Sequence, residues 1–419
     1  MTASINCAIT FDFDQVIPRR DSGCFKWDSN PRASTLPMFV ADMDFQTAPA
    51  VIEALQQRVE HGVFGYTWIR DEYFEALTSW FQRRYQFAIE RDWVLPTIGI
   101  VPAISAILAS LVKANLKATG VIVQTPVYHC FFSSIRRSGC EVVENPLQLD
   151  DQGVYQIDFD DLERKAAEPD NSVLLLCHPH NPSGRVWRND ELQRIGDICL
   201  RHQVIVISDE IHCDLLFPGQ RHQPFAALPL QYAQDQAQSQ TKTSPEQISA
   251  WQANCITLHS VSKTFNLAGL QIANIIIADR QLRSRVQQGL LAHEIQGVNP
   301  FGVEGLIAAC NKGEEWLTAL NQYLFGNYQL IEQFLQQHLP QLRLYPQQST
   351  YLAWIDCAAT GLNGDQLAKR LLEDGDLRIS SGMGFLPDSN QRNSYIRLNF
   401  ACPRSVLQDG LTRLAKVLG

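Results

Sequence analysis

The chain has 419 residues, 45% of them hydrophobic and 19% charged, with a formal net charge of −9. That length supports a large buried core and two domains, and the balance is that of an ordinary globular protein. The acidic surplus argues against a surface for nucleic acid or anionic membrane, so partners of neither kind are expected. The 11 cysteines are never spaced C-x-x-C, which fits free thiols in a reducing compartment better than a disulfide scaffold or a Cys-rich zinc site. The opening residues Met1-Thr2-Ala3-Ser4-Ile5-Asn6 lack a basic segment followed by an apolar one. No apolar run approaches the ~20 residues of a membrane span, and a cytoplasmic location is expected.

In chain order, the first informative segment is Pro96-Thr97-Ile98-Gly99-Ile100-Val101-Pro102, ahead of a helical apolar pattern from Ala103 to Leu111. Glycine lets the backbone approach a ligand and proline suits a first helical turn. The N–H groups of Ile100 and Val101 then offer an anion site at the positive end of the helix dipole. The apolar run Val121-Ile122-Val123 leads to Tyr128, whose ring can stack on a ligand or pack in the core. The run Val173-Leu174-Leu175-Leu176 leads to His178-Pro179-His180-Asn181-Pro182-Ser183-Gly184. Proline and glycine fix that turn, Asn181 is its informative polar group, and the His-x-His spacing reads as incidental. An amphipathic helix is expected from Asp190 to His202.

The run Val204-Ile205-Val206-Ile207 opens onto Ser208-Asp209-Glu210-Ile211-His212-Cys213-Asp214. Asp209 can pair with a cationic ligand nitrogen or cap a helix, and His212 can donate to a ligand or pack. Without a second ligand motif, no metal is expected here. Leu230 to Asn254 is rich in Gln, Ser, Thr and Ala and reads as a surface insertion. The run Ile256-Thr257-Leu258 leads to Ser260-Val261-Ser262-Lys263. A desolvated lysine amine is a better nucleophile, and two serines beside it can hold an anion. Read alone, the same four residues describe a surface turn. A fifth run is Asn274-Ile275-Ile276-Ile277, and Ser394 to Phe400 alternates as a strand carrying Arg397. That arginine suits a carboxylate, or a solvated strand face.

These runs are continuous rather than alternating, as in parallel strands covered on both faces, and helical segments separate several of them. The fold class expected is α/β. Tyr128, Asn181, Asp209 and Lys263 each follow a different run, and open parallel sheets bind ligands beyond the carboxyl ends of their strands. Four loops therefore bring a ring, an amide, a carboxylate and an amine to one edge.

With these residues in view, the chain resembles a fold-type I pyridoxal-phosphate (PLP) enzyme, and within that class the cystathionine β-lyase family that includes MalY and PatB. Val40-Ala41-Asp42-Met43-Asp44-Phe45 and Phe64-Gly65-Tyr66-Thr67 are similar to that family's N-terminal segments. Ser208 to Asp214 and Ser262-Lys263-Thr264-Phe265-Asn266-Leu267-Ala268-Gly269-Leu270 are similar to its central ones. The resemblance implies the aspartate-aminotransferase-like fold, with a mostly parallel sheet between helices and a smaller α+β domain. The division expected is a large PLP domain over 44–291 and a small domain from 1–43 and 292–419.

It also implies roles. Lys263 holds the cofactor covalently and moves the Cα proton, Asp209 pairs the ring nitrogen, and Asn181 and His212 face the ring hydroxyl. Tyr128 stacks on the ring. The Ile100 and Val101 amides, with Ser260 and Ser262, cradle the phosphate, and Tyr66 reaches the phosphate of a neighbouring subunit in a homodimer. Arg397 and Ala41 meet the amino-acid substrate. His212 stands where many aminotransferases carry tyrosine, and Gln271 where many carry a phosphate-binding arginine. The activity implied is β-elimination of a thiol from L-cystathionine or a related cysteine S-conjugate. Transamination is the alternative, and a regulatory protein-interaction role on the same fold is the third reading.

Overall fold

The computed structural model describes residues 11–30, 32–114, 119–230, 244–388 and 393–419. Seven strands form the central sheet: β1 Val94–Thr97, β2 Gly120–Val123, β3 Glu141–Glu144, β4 Asn171–Cys177, β5 Ile205–Asp209, β6 Cys255–His259 and β7 Ala273–Ile276. Their spatial order is β1-β7-β6-β5-β4-β2-β3. The pairs β3–β2, β2–β4, β4–β5 and β5–β6 are parallel. Each of the five apolar runs is a strand, but the fifth, β7, runs antiparallel to both β6 and β1. A fully buried run carries no signal of direction, since both of its faces are apolar either way.

Alternate residues of the strands feed two separate apolar layers. Val121, Val123, Leu175, Ile207 and Leu258 face one layer, and Ile122, Leu174, Leu176 and Val206 face the other. The first layer packs under the helices Ile100–Ala114, His129–Arg137 and Arg280–Ala292, through Ile107, Phe131 and Val286. The second packs against Asn189–Arg201 through Leu192, Ile195 and Cys199. This is the sandwich that continuous apolar strands require.

A second sheet is antiparallel throughout: β8 Arg343–Leu344, β9 Leu352–Asp356, β10 Ser380–Ser381 and β11 Tyr395–Asn399, in the order β8-β9-β11-β10. The helices Glu314–His338, Gly364–Gly375 and Arg404–Leu418 complete this region. Leu36–Pro37 pairs in parallel with Leu377–Arg378, joining the beginning of the chain to its end.

Most of the Gln/Ser-rich stretch, 231–243, lies outside the described residues. The remainder is more than a surface insertion. Ser244 and Gln247 form a capping box that starts the helix Pro245–Ala253. Its buried Trp251 stacks on Phe225 at 5.0 Å and fills the space beside Gly196, where a Cβ would lie 1.8 Å from the indole. Among the described residues no helix is long and apolar enough to cross a membrane.

Candidate active site

The carboxyl ends of the parallel strands open onto a cavity of about 300 Å³. Ile98 to Pro102, Tyr128, Asn181, Asp209, His212, Ser262, Lys263 and Ala41 line it, together with Cys177, Ala268, Gln271 and Ile272. The convergence expected at one sheet edge is what the strand order produces.

Lys263 lies in the one-turn helix Val261–Thr264 that follows β6, with Ser260 as its N-cap. The Lys263 Nζ donates to the Ala41 carbonyl at 2.5 Å. Burial pushes the amine down to about 8; Asp42 opposes that shift, Arg397 adds to it, and Asp209 opposes it again. Asp209 ends β5, and burial pushes its carboxyl up to about 7, against a bond from the Ile211 N–H at 3.2 Å and the charge of Lys263. Burial, with Lys263 and Arg397 nearby, pushes His212 down to about 3, so the imidazole is neutral. Its Nδ1 is buried and has no partner among the described residues.

Asn181 accepts from Arg397 Nη1 at 3.2 Å. Arg397 sits on β11, buried rather than on a solvated face, and its Nη2 donates to the Phe39 carbonyl at 3.0 Å. Its Nε finds no partner among the described residues, and burial pulls the guanidinium down to about 10. An unsatisfied buried cation of this kind calls for an anion. At the other wall, Ile100 and Val101 begin the helix Ile100–Ala114, so their N–H groups have no acceptor within the helix.

Three expected residues are not part of the cavity lining: Ser260, Tyr66, and Arg397, which joins it through its bond to Asn181. The Ser260 hydroxyl donates to the Ile272 carbonyl at 2.7 Å and accepts from the Ser262 N–H at 3.0 Å, and the residue is not part of the lining. Both bonds commit that oxygen to holding the Lys263 turn, whereas Ser262 does line the cavity. Tyr66 is fully exposed and faces a different cavity, beside Arg58, Thr67 and Arg70.

Sequence reasoning missed Tyr351, whose hydroxyl donates to the same Ala41 carbonyl at 3.0 Å. It also missed the support of that carbonyl. Arg19 bonds Asp42 at 2.8 Å, and the buried Lys26 and the half-buried Trp27 both bond Asp44 at 2.8 Å. Asn266 bonds the backbone of Met43 and Phe45. The Asp42-x-Asp44 spacing beside Arg19 and Lys26 was the available signal. Behind the sheet edge, Cys213, Asp214 and His259 gather ligand-type atoms within 4.8 Å of one another. Asp214 already accepts from Tyr85 at 2.6 Å and Thr264 at 3.1 Å.

The donor set has a definite chemical character. A desolvated amine and a buried carboxyl share one wall with an uncommitted imidazole nitrogen, an amide and a tyrosine ring. Free helix N–H groups at the other end suit a phosphate. Such a cavity fits an aldehyde cofactor with a basic ring nitrogen and a phosphate tail, which defines a PLP enzyme on the doubly wound α/β scaffold. The sequence matches the aminotransferase class I and II family over residues 36–414, and the chain belongs to that family. It is 36% identical to cystathionine beta-lyase PatB of Bacillus subtilis (strain 168), over 97% of this chain and 100% of that protein. It is 32% identical to protein MalY of Escherichia coli (strain K12), over 97% and 99%. The structure of cystalysin from Treponema denticola, which contains pyridoxal 5′-phosphate, superposes with a TM-score of 0.86 at 32% identity, covering 98% of this chain and 99% of that one. The cofactor is pyridoxal 5′-phosphate.

Proposed function

We propose that the protein is a carbon–sulfur β-lyase that releases a thiol, pyruvate and ammonia from L-cystathionine or a related cysteine S-conjugate. The observation carrying this reading is the buried amine of Lys263, lowered to about 8, within one cavity with Asp209 and with Asn181, to which the buried Arg397 donates. Full-length similarity to PatB supports lyase over other chemistries of the family.

Pyridoxal phosphate, when bound, supplies the electron sink that makes a Cα proton of an amino acid removable. The residues of this chain supply the rest. The Ile100 and Val101 amides with Ser262 hold the phosphate, Asp209 keeps the ring nitrogen protonated, His212 and Asn181 face the ring hydroxyl, and Tyr128 covers the ring. Arg397 holds the substrate carboxylate, which satisfies its open Nε. Lys263 Nζ takes the Cα proton, and the resulting ammonium can return a proton to the departing sulfur.

The same reading gives a homodimer in which Tyr66 serves the partner's phosphate, supported by the full exposure of Tyr66 and the wide exposure of Trp68. It divides the chain into a PLP domain over 44–291 and a small domain from both ends. Incubation of the loaded enzyme with L-cystathionine and no keto acid tests the activity. Equal amounts of pyruvate and free thiol are expected. Turnover that requires an added keto acid would assign an aminotransferase instead.

A further inference from the structure

The Ala41 carbonyl lies in the lining of the cofactor cavity and accepts from two side chains. Lys263 also lines that cavity, whereas Tyr351 does not. The amine therefore reaches the oxygen from the cavity side, at 2.5 Å, and the phenol reaches it from the protein side, at 3.0 Å. A peptide carbonyl offers two lone pairs, and among the described residues these two groups are its only hydrogen-bond partners. Burial, with Asp42 nearby, pushes the pKa of the phenol up, so the hydroxyl keeps its proton and acts as donor. One lone pair is filled by Tyr351 and the other is left to Lys263.

A strained neighbour places this phenol. Thr350 has a φ of 70°, in the left-handed region that a β-branched residue rarely enters. It is buried, its N–H donates to the Leu215 carbonyl at 2.8 Å, and its hydroxyl accepts from the Leu352 N–H at 3.3 Å. The Tyr351 carbonyl accepts from the Phe400 N–H at 2.9 Å, just past the strand that carries Arg397. Backbone strain of this kind persists where the surroundings over-determine it, and it gathers at functional sites. The Ala41 peptide does not need the phenol to stay in place, because the Asn399 side chain donates to the carbonyls of Val40 and Asp42 on either side. What the Tyr351 hydroxyl adds is control of the Ala41 oxygen itself.

We propose that Tyr351 is a positioning residue: by filling the protein-side lone pair of the Ala41 carbonyl, it confines the free Lys263 amine to the cavity-side one. The nitrogen lone pair is then held toward the cofactor and the Cα proton. The inference rests on Lys263 being the amine that carries the cofactor. Without the hydroxyl, two acceptor directions compete for the amine, and one of them turns it away from the cavity. A misplacement of about 1 Å costs a reaction about 100-fold, so an amine misdirected part of the time should lose about tenfold.

Tyr351→Phe removes the hydroxyl and keeps the ring, which packs edge-on to His212 at 6.3 Å. Stopped-flow loading of the full-length, cofactor-free protein with excess pyridoxal phosphate at about pH 9.5, where the amine is neutral, should be about tenfold slower in the variant. In turnover of L-cystathionine by the loaded protein, kcat should fall about tenfold with KM within about twofold, since Arg397 is untouched. Tyr73→Phe is the control. It too deletes a buried hydroxyl, one bonded to Asn274 at 2.6 Å and outside the cavity lining, and it should load within about twofold of wild type. An unaltered loading rate in Tyr351→Phe, an equal slowing in Tyr73→Phe, or a raised KM with kcat unchanged would each overturn the proposal. A wild type that loads on another lysine would instead sink the assignment of Lys263 beneath it.

Discussion

Replacing Asp209 with asparagine should stabilise the cofactor-free protein while destroying its hold on the cofactor. The Asp209 carboxyl is fully buried, accepts one hydrogen bond from Ile211 and has its pKa raised from 3.8 to about 7. Because the folded-state value is the higher one, the folded protein binds more protons than the unfolded chain between these limits, and stability falls as pH rises through them. At 1.36 kcal/mol per pH unit of difference, the ionised carboxylate costs the empty protein about 4 kcal/mol above pH 7. The asparagine amide would have nearly the same shape, keep the bond from Ile211 and carry no charge. Urea unfolding of cofactor-free wild type and Asp209→Asn should therefore coincide near pH 4, part progressively between about pH 4 and 7 and keep a constant gap above that, with the variant the more stable. Cofactor affinity should move the other way, falling about 100-fold or more, because a neutral amide leaves the ring cation unpaired. A variant no more stable than wild type at about pH 8 would refute the reasoning.

Covalent loading of pyridoxal phosphate should follow the neutral fraction of Lys263, whose pKa is lowered to about 8. Stopped-flow loading rates should rise about tenfold per unit below that pH and level off about one unit above it; a rate still climbing through about pH 10 would describe an ordinary exposed lysine. Arg397→Gln should raise KM for the amino-acid substrate about 100-fold, since a charge-assisted carboxylate contact is removed, and steady-state kinetics with an unaltered KM would exclude the clamp. If Tyr66 serves the partner subunit, mixing inactive Lys263→Ala with inactive Tyr66→Ala subunits should restore activity. Half of the dimers would be hybrids with one intact site each, giving about a quarter of the wild-type rate. No recovery after subunit exchange would contradict the shared site.

Much of this site could be read from the sequence because its parts are local. Each apolar run ends where its polar residue begins, so Tyr128, Asn181, Asp209 and Lys263 are tied to strand ends by chain connectivity alone. What escaped reading depends on contacts distant in sequence. The burial of Arg397 follows from β11 being sandwiched between β9 and β10, whereas the alternating pattern of Ser394 to Phe400 is equally that of a half-wet strand. Tyr351 meets Ala41 across 310 residues, and nothing near either position announces the pairing. The helix Pro245–Ala253 buries only Trp251, too little apolar surface to show a period against its Gln- and Ser-rich surroundings. The direction of β7 was illegible for another reason, because it is buried on both faces whichever way it runs.

The central claim is that one amine, that of Lys263, carries the cofactor. Borohydride treatment of the protein loaded with pyridoxal phosphate, followed by peptide mass spectrometry, tests it directly. The visible absorption should be lost on reduction, and a single stable phosphopyridoxyl adduct should lie on Lys263, with none formed in Lys263→Ala. An adduct on another lysine, or a purified protein that takes up no cofactor, would contradict it.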